Sequence, residues 1–331
     1  MGFALAEVME AHRRIAGLAR STPLVEARGI VVKAPHPLFL KLETLQPIGA
    51  FKIRGAAHAL LRLDDDAKRR GVVCCSTGNH GRAVAHAANR LGIPATICLS
   101  RLVPQAKVDA IAALGATVLR CGESQDEAQR EAERLVAEKS YTDISPFDHR
   151  DVILGQATIA LELLSERPDL IHIVVPLSGG GLIGGIAGAA KALKPSIRIT
   201  GVSMEHGAAM HESLKVGHPV EVTEFPSLAD SLGGGINLDN RWTFDLCRRH
   251  VDETLLVSEE EIYRGMRALF FKERLVTEGA GAVGIAALLA GKLALDGPTA
   301  MIVSGQNVDM EQFMTIMRGE PVRLGERLVK G

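Results

Sequence analysis

Short apolar runs alternate with helical patterns along most of this chain, and that alternation constrains its fold more than any other feature. The runs read as strands at Leu38–Glu43, Gly71–Ser76, Ala95–Leu99, Thr117–Arg120, Leu170–Val175, Ile197–Val202 and Thr299–Val303. Between them the spacing predicts helices over Ile53–Leu63, Asn79–Leu91, Gln105–Leu114, Gln125–Lys139, Val152–Glu166, Gly181–Leu193, Glu259–Glu273 and Ala280–Leu289, with a further helix near the C-terminus. Strands apolar on both faces, each followed by a helix, imply parallel sheets covered on both sides: an α/β protein. The expected organisation is two lobes, residues 1–47 with 147–331 forming the larger and 48–146 the smaller.

At 331 residues the length suits about two domains. A net charge of −1 with no basic tract gives no footprint for nucleic acid or an anionic membrane. No apolar run reaches the roughly 20 residues of a spanning helix. Residues 1–20 read as an amphipathic helix interrupted by Glu7, Glu10 and His12, not as the uncharged core of a secretory signal, so a cytoplasmic protein is expected. The five cysteines show no C-x-x-C spacing, and the adjacent Cys74 and Cys75 would face opposite sides of a strand. Free, mostly buried thiols are expected.

In open parallel sheets, ligands bind beyond the carboxyl ends of the strands. Three turns fall there. The first, Ser178-Gly179-Gly180-Gly181-Leu182, lies between a strand and a small-residue helix, an arrangement that aims bare N–H groups and a helix N-terminus at an anion. Its glycines admit close approach of a phosphate, where a Cβ would intrude; they could equally serve a tight connection. The second, Ser76-Thr77-Gly78-Asn79-His80-Gly81, suits a carboxylate, or else is an ordinary helix N-cap. The third, Ser304-Gly305-Gln306-Asn307, is a binding turn or only a turn. A fourth element is Lys52, opening a helix of apolar and small residues; most lysines are solvated, but one at this rim could enter the crevice as a nucleophile.

Together these segments resemble a known family. Ala50-Phe51-Lys52-Ile53-Arg54-Gly55-Ala56, the turn at 76–81, Gln105-Ala-Lys107-Val-Asp109, Pro146-Phe147-Asp148-His149, Gly155-Gln156, the 178–182 loop and Ser304–Asn307 are similar to the fold-type II pyridoxal-phosphate enzymes, in the group of threonine and serine dehydratases and serine racemases. The resemblance spans about Ile15 to Met317 and implies a tryptophan-synthase-β-like fold, pyridoxal 5'-phosphate as cofactor and a homodimer. It implies that Lys52 forms the Schiff base and moves protons at the substrate Cα, and that Phe51 packs on the ring. Asn79 would bond the ring hydroxyl, the N–H groups of Ser178 to Leu182 would hold the phosphate, and Ser304 would face the ring nitrogen. Ser76, Thr77, Asn79 and His80 would surround the substrate carboxylate.

A neutral serine at the ring nitrogen should limit carbanion build-up and favour prompt loss of a β-hydroxyl, which points to elimination of water from L-threonine or L-serine, giving a 2-oxo acid and ammonia. The alternative is a serine or aspartate racemase. Thr77 stands where racemases carry a serine as second acid/base, and dehydratases commonly carry alanine; Phe147-Asp148-His149 matches the dehydratases. Ala50, Ser231 and Gln306 depart from the usual Ser, Gly and Gly, and the wording around Gln46 to Lys52 is similar to a branch associated with hydroxyectoine utilisation. Where racemase relatives hold a divalent cation this chain has Ser203 and Ala209, with Glu205 a lone carboxylate nearby, so no metal is expected. The length leaves no room for the C-terminal regulatory domain of biosynthetic threonine dehydratases, which fits a catabolic or specialised enzyme.

Overall fold

The apolar runs become the inner strands of two separate sheets in the computed structural model, which describes residues 4–30 and 36–331. In chain order the strands are β1 (Leu24–Glu26), β2 (Leu38–Leu42), β3 (Val72–Cys75), β4 (Ala95–Leu99), β5 (Thr117–Arg120), β6 (Thr142–Asp143), β7 (His172–Pro176), β8 (Arg198–Met204), β9 (Glu253–Val257), β10 (Thr299–Val303) and a terminal hairpin, β11 (Val322–Leu324) and β12 (Arg327–Val329). The helices are α1 (Leu5–Ile15), α2 (Lys52–Arg62), α3 (Asp65–Arg70), α4 (Asn79–Leu91), α5 (Gln105–Ala112), α6 (Gln125–Lys139), α7 (Arg150–Glu166), α8 (Gly181–Leu193), α9 (Ala209–Val216), α10 (Thr243–His250), α11 (Glu259–Glu273), α12 (Gly279–Leu289) and α13 (Met310–Arg318).

The larger sheet runs β1-β2-β10-β7-β8-β9 and is parallel except for β1, which pairs antiparallel with β2 at the edge. The smaller sheet, β5-β4-β3-β6, is parallel throughout. Both are covered on two faces, as continuous apolar strands require. One face of the larger sheet packs on α11, α12 and α13, the other on α1, α7, α8 and α10. On β3 the side chains alternate: Val72 and Cys74 join α2 and α4, whereas Val73 and Cys75 face α6. The two neighbouring thiols therefore enter different cores, and no cysteine is in a disulfide. Among the described residues no helix is long and apolar enough to cross a membrane.

Several elements lack the expected signal. The edge strands β1 and β9 are half-exposed and carry no long apolar run, and β6 is two residues held by pairing with β3. Pairing partners, not local pattern, create such strands. The expected N-terminal helix over residues 1–20 is shorter, Leu5–Ile15, buried through Val8, Ala11 and Ile15; residues 1–3 lie outside the described residues.

Candidate active site

The carboxyl ends of β3, β7 and β10 lead into the three turns singled out in the sequence, and hydrogen bonds join the turns after β10 and β3 to each other and to the start of α2. Lys52 is the first residue of α2. Phe51, at the N-cap, contributes no side-chain cap. The turn after β10 holds this entry instead: Phe51 N–H donates to the Ser304 carbonyl at 3.0 Å, Gln306 N–H to Gly49 O at 2.9 Å, and Asn307 Nδ2 to Ile48 O at 2.8 Å. Gly49 has φ +73°, and a Cβ there would come within 3.0 Å of Asn307 Oδ1, so this junction requires glycine. The third turn is thus a clamp on the lysine loop.

Lys52 is half-buried and its Nζ donates to the Pro146 carbonyl at 2.7 Å. Burial pushes its amine down to about 8, against an upward pull from the Glu278 charge. The amine lies 5.4 Å from the Phe51 ring centre. Lys41, another lysine of this region, is wholly buried and bonded to Glu162, so it cannot take the same role.

Asn79 is buried at the start of α4. Its Nδ2 donates to Glu278 Oε1 and Oε2 at 2.8 and 3.1 Å, and its Oδ1 accepts from Asn307 Nδ2 at 2.6 Å. The two oxygens of one carboxylate lie too close together to take both amide hydrogens, which leaves the second N–H for a ligand. The sequence reading did not include Glu278. It is buried at the N-cap of α12 and also accepts from Ser231 Oγ at 3.3 Å. Burial pushes its carboxyl up to about 7, with the Asn79 hydrogen bond opposing and the Asp230 charge reinforcing the rise. The available signal was a lone acid, Thr277-Glu278-Gly279, just before a helix made of glycine, alanine and aliphatic residues.

The helix N-cap alternative for 76–79 does not hold: the N-cap of α4 is Gly78, with no side-chain cap. The opening N–H groups of α4 are therefore not taken by Ser76, Thr77 or Asn79. Ser76 and Thr77 are half-buried in the loop that leads there. His80 points inward; its Nε2 bonds the Ile144 carbonyl at 2.6 Å, and burial with the nearby Lys52 charge lowers its pKa to about 3. Its ring is neutral, with Nε2 engaged by the Ile144 carbonyl and the buried Nδ1 without a protein partner.

The glycine loop departs from its expected logic. Gly180 has φ +86° at the N-cap of α8. A Cβ on Gly180 would lie 2.7 Å from Met210 Cε and 2.9 Å from Thr243 Cβ, and Cβ atoms on Gly179 and Gly181 would strike Phe147. These glycines are required by the protein packed against them, in addition to any phosphate. Asp148 completes the cradle by accepting the backbone N–H groups of Arg241, Trp242 and Thr243 at 2.7, 2.9 and 2.9 Å, which fixes Phe147 against the loop and α10 beneath it. The N–H groups of Gly181, Leu182 and Ile183, in the first turn of α8, have no carbonyl four residues back within the helix. An amine at Lys52, an amide N–H at Asn79, these N–H groups and the buried hydroxyl of Ser304 make a donor set that fits pyridoxal phosphate.

Residues 15–305 match the family described as pyridoxal-phosphate dependent enzyme. The chain belongs to that family. Its sequence is 50% identical over 316 residues to a Sinorhizobium fredii protein provisionally named threonine dehydratase, covering 95% of each chain. It is 37% identical over 325 residues to an L-threonine ammonia-lyase of Thermotoga maritima, covering 98% of this chain and 80% of that one. Among solved structures, maize serine racemase superposes with a TM-score of 0.89 at 34% identity, over 96% of this chain and 98% of the other. This pyridoxal-phosphate enzyme is thus a lyase similar to the threonine dehydratases. Among its described residues no group of three or more His, Cys, Asp or Glu side chains could hold a metal.

Proposed function

We propose that this lyase eliminates water from a β-hydroxy amino acid, L-threonine or L-serine, releasing a 2-oxo acid and ammonia. The supporting observation is the placement of Lys52: a half-buried amine, depressed to about 8, bonded to the Pro146 carbonyl at a helix start that the turn after β10 clamps. At neutral pH an appreciable fraction of that amine is unprotonated, so it can attach the cofactor and afterwards carry the proton removed from the substrate Cα. Pyridoxal phosphate, when bound, supplies the electron sink that makes this proton removable. The first N–H groups of α4, with Ser76, Thr77 and Asn79, orient the substrate carboxylate. Ser178 to Leu182 bind the phosphate through the backbone. Ser304 presents a neutral hydroxyl to the ring nitrogen, Phe51 packs on the ring, and Asn79 donates its remaining N–H to the ring oxygen.

Residues 48–146 form the small substrate-side lobe against 1–47 and 147–331, and the enzyme works as a cytoplasmic homodimer. Ala50, Ser231 and Gln306 specialise the substrate side, with a hydroxyectoine-derived β-hydroxy compound as the specialised substrate. Ser231 bonds the carboxylate that orients Asn79, which gives that departure a physical route to the site.

The test is to supply L-threonine, L-serine and further β-hydroxy amino acids, with a 2-oxo acid assay beside chiral chromatography. Rapid 2-oxo acid formation with little D-isomer is expected, because β-branching stiffens Thr77 and hinders its use as an opposite-face acid. Accumulation of D-amino acid with little 2-oxo acid would replace the dehydratase by a racemase.

A further inference from the structure

Two residues beyond Lys52, α2 carries a second cation that the reaction does not use. Arg54 is 1% exposed. Its Nε and Nη2 grip Glu43 at 2.8 Å each, its Nη1 and Nη2 reach Glu162 at 2.6 and 2.9 Å, and Nη1 also donates to Thr158 Oγ1 at 3.0 Å. Lys41 Nζ joins from β2, donating to Glu162 Oε2 and the Thr22 carbonyl at 2.6 Å each. Thr22 Oγ1 and Gln46 Nε2 occupy further lone pairs of Glu43. Two cations and two carboxylates are thus buried together with zero net charge, with the partly exposed His12 at the edge, its Nδ1 3.8 Å from Glu162 Oε1. Burial alone would lower Arg54 and raise Glu162, yet their mutual contacts more than offset this and hold both ionised.

Buried ion pairs are weak evidence for stability, since apolar replacements often do as well. A guanidinium held by two carboxylates does fix orientation, because its donors lie in one rigid plane. At 3.6 residues per turn, side chains two apart leave a helix on nearly opposite faces. Arg54 therefore draws α2 into the body of the protein, while Lys52 leaves the other face toward Pro146. Beside Arg54, α2 crosses α7 with Gly155 against the Arg54 carbonyl and the Gly55 backbone, a contact that admits no side chain. With no side-chain cap at Phe51, this cluster and the clamp from Ser304–Asn307 hold the first turn. A rotation of about 10° about the helix axis would sweep an extended lysine amine by about 1 Å, and displacements of that size cost on the order of a hundredfold in rate.

We propose that Arg54, with Glu43, Glu162 and Lys41, is a positioning device that sets where the Lys52 amine stands. This rests on Lys52 as the amine that carries the cofactor. Borohydride reduction of the loaded enzyme followed by peptide mapping checks that basis separately: a tag on another lysine would fail the functional reading, whereas a tag on Lys52 leaves only the positioning claim at stake. The claim is tested by acylating the cofactor-free protein across a pH series and reading Lys52 modification by mass spectrometry, alongside kcat and KM of the loaded enzyme. Arg54→Lys keeps the charge and loses the fork; Thr158→Val, nearly isosteric, removes the bond from Arg54 together with the local bond to the Gly155 carbonyl, and keeps the test open if the first variant does not fold. Leu269→Ala, in the α11 core, is the control for lost stability alone.

Around Lys52 the titratable groups are Glu278 of α12 and His80 of α4. Neither is altered in these variants. In Arg54→Lys the acylation midpoint should rise from about 8 by a unit or more as the amine leaves its buried seat, with kcat down at least tenfold and KM within threefold. Thr158→Val should move both in the same direction by a smaller amount, and Leu269→Ala should move neither. An unchanged midpoint and kcat in Thr158→Val and in any folded Arg54→Lys would overturn the proposal, as would an equal shift in Leu269→Ala.

Discussion

Glu162 and Glu278 are both buried carboxylates within contact of residues that build the lysine site, and they are held in opposite ways. Glu162 meets Arg54 and Lys41, and its carboxyl sits below the ordinary range because those cations outweigh burial. Glu278 meets an amide, a hydroxyl and backbone donors, with no cation bonded to it, and burial wins, raising it to about 7. The lesson is that burial does not fix the state of a carboxylate; the formal charge of its partners does. A fully paired acid is suited to holding geometry, whereas one poised near neutrality can exchange a proton or answer to a ligand.

The most damaging way to break this comparison is to remove the paired acid. Glu162→Ala leaves Arg54 and Lys41 short of a counter-ion in the interior and should cost about 3–5 kcal/mol, measured by chemical unfolding. A loss below about 1 kcal/mol would mean that the cluster is not buried as described.

Glu278→Gln sharpens the other half. The native carboxyl binds its proton more tightly folded (about 7) than unfolded (4.5), so its contribution to stability declines as pH rises from about 4.5 to 7 and then levels. The neutral variant lacks that decline. Its stability relative to the parent should improve by about 3 kcal/mol between pH 4 and pH 8, while kcat/KM falls about tenfold or more because an amide no longer dictates which way Asn79 turns. A parallel pair of stability–pH curves would show that Glu278 is ionised like Glu162.

Gly180→Val tests a region held by shape without charge. The side chain must enter a positive-φ site already filled by Met210 and Thr243, at a cost of order 1–3 kcal/mol. Cofactor titration should show at least tenfold weaker binding in a protein that still folds, and unchanged affinity would make the loop structural only. The smallest effect is expected from Ser231→Ala, which removes one 3.3 Å bond from Glu278. The carboxyl should titrate slightly higher, and kcat should change by less than about threefold.

The inner strands and three strand-end turns were legible because they follow from local chemistry: apolar runs, glycine, and helix-opening polar residues. Lys52 was singled out by its motif. What escaped was whatever depends on distant partners. Nothing near Glu278 in sequence reveals Asn79 and Asn307 as its companions, and Arg54 reads as one charge in a small-residue helix until Glu43 and Glu162 arrive from other elements. Edge strand β1 exists only because β2 offers it a partner. The glycine loop opens α8 after β7 as its pattern indicates, but sequence shows neither Phe147 above it nor Met210 below.

The clamp between residues 48–51 and 304–307 has a consequence for the growing chain. Phe51 and Gly49 bond to Ser304 and Gln306, so the start of α2 is seated by segments that lie far apart in the chain. A nascent polypeptide released from the ribosome as far as β9 already contains Lys52, Asn79 and the glycine loop, yet lacks both Glu278 and the turn that hold them in register. The surroundings of Lys52 therefore assemble only once the segment through residue 307 has emerged, and a chain stopped before it presents an ordinary lysine.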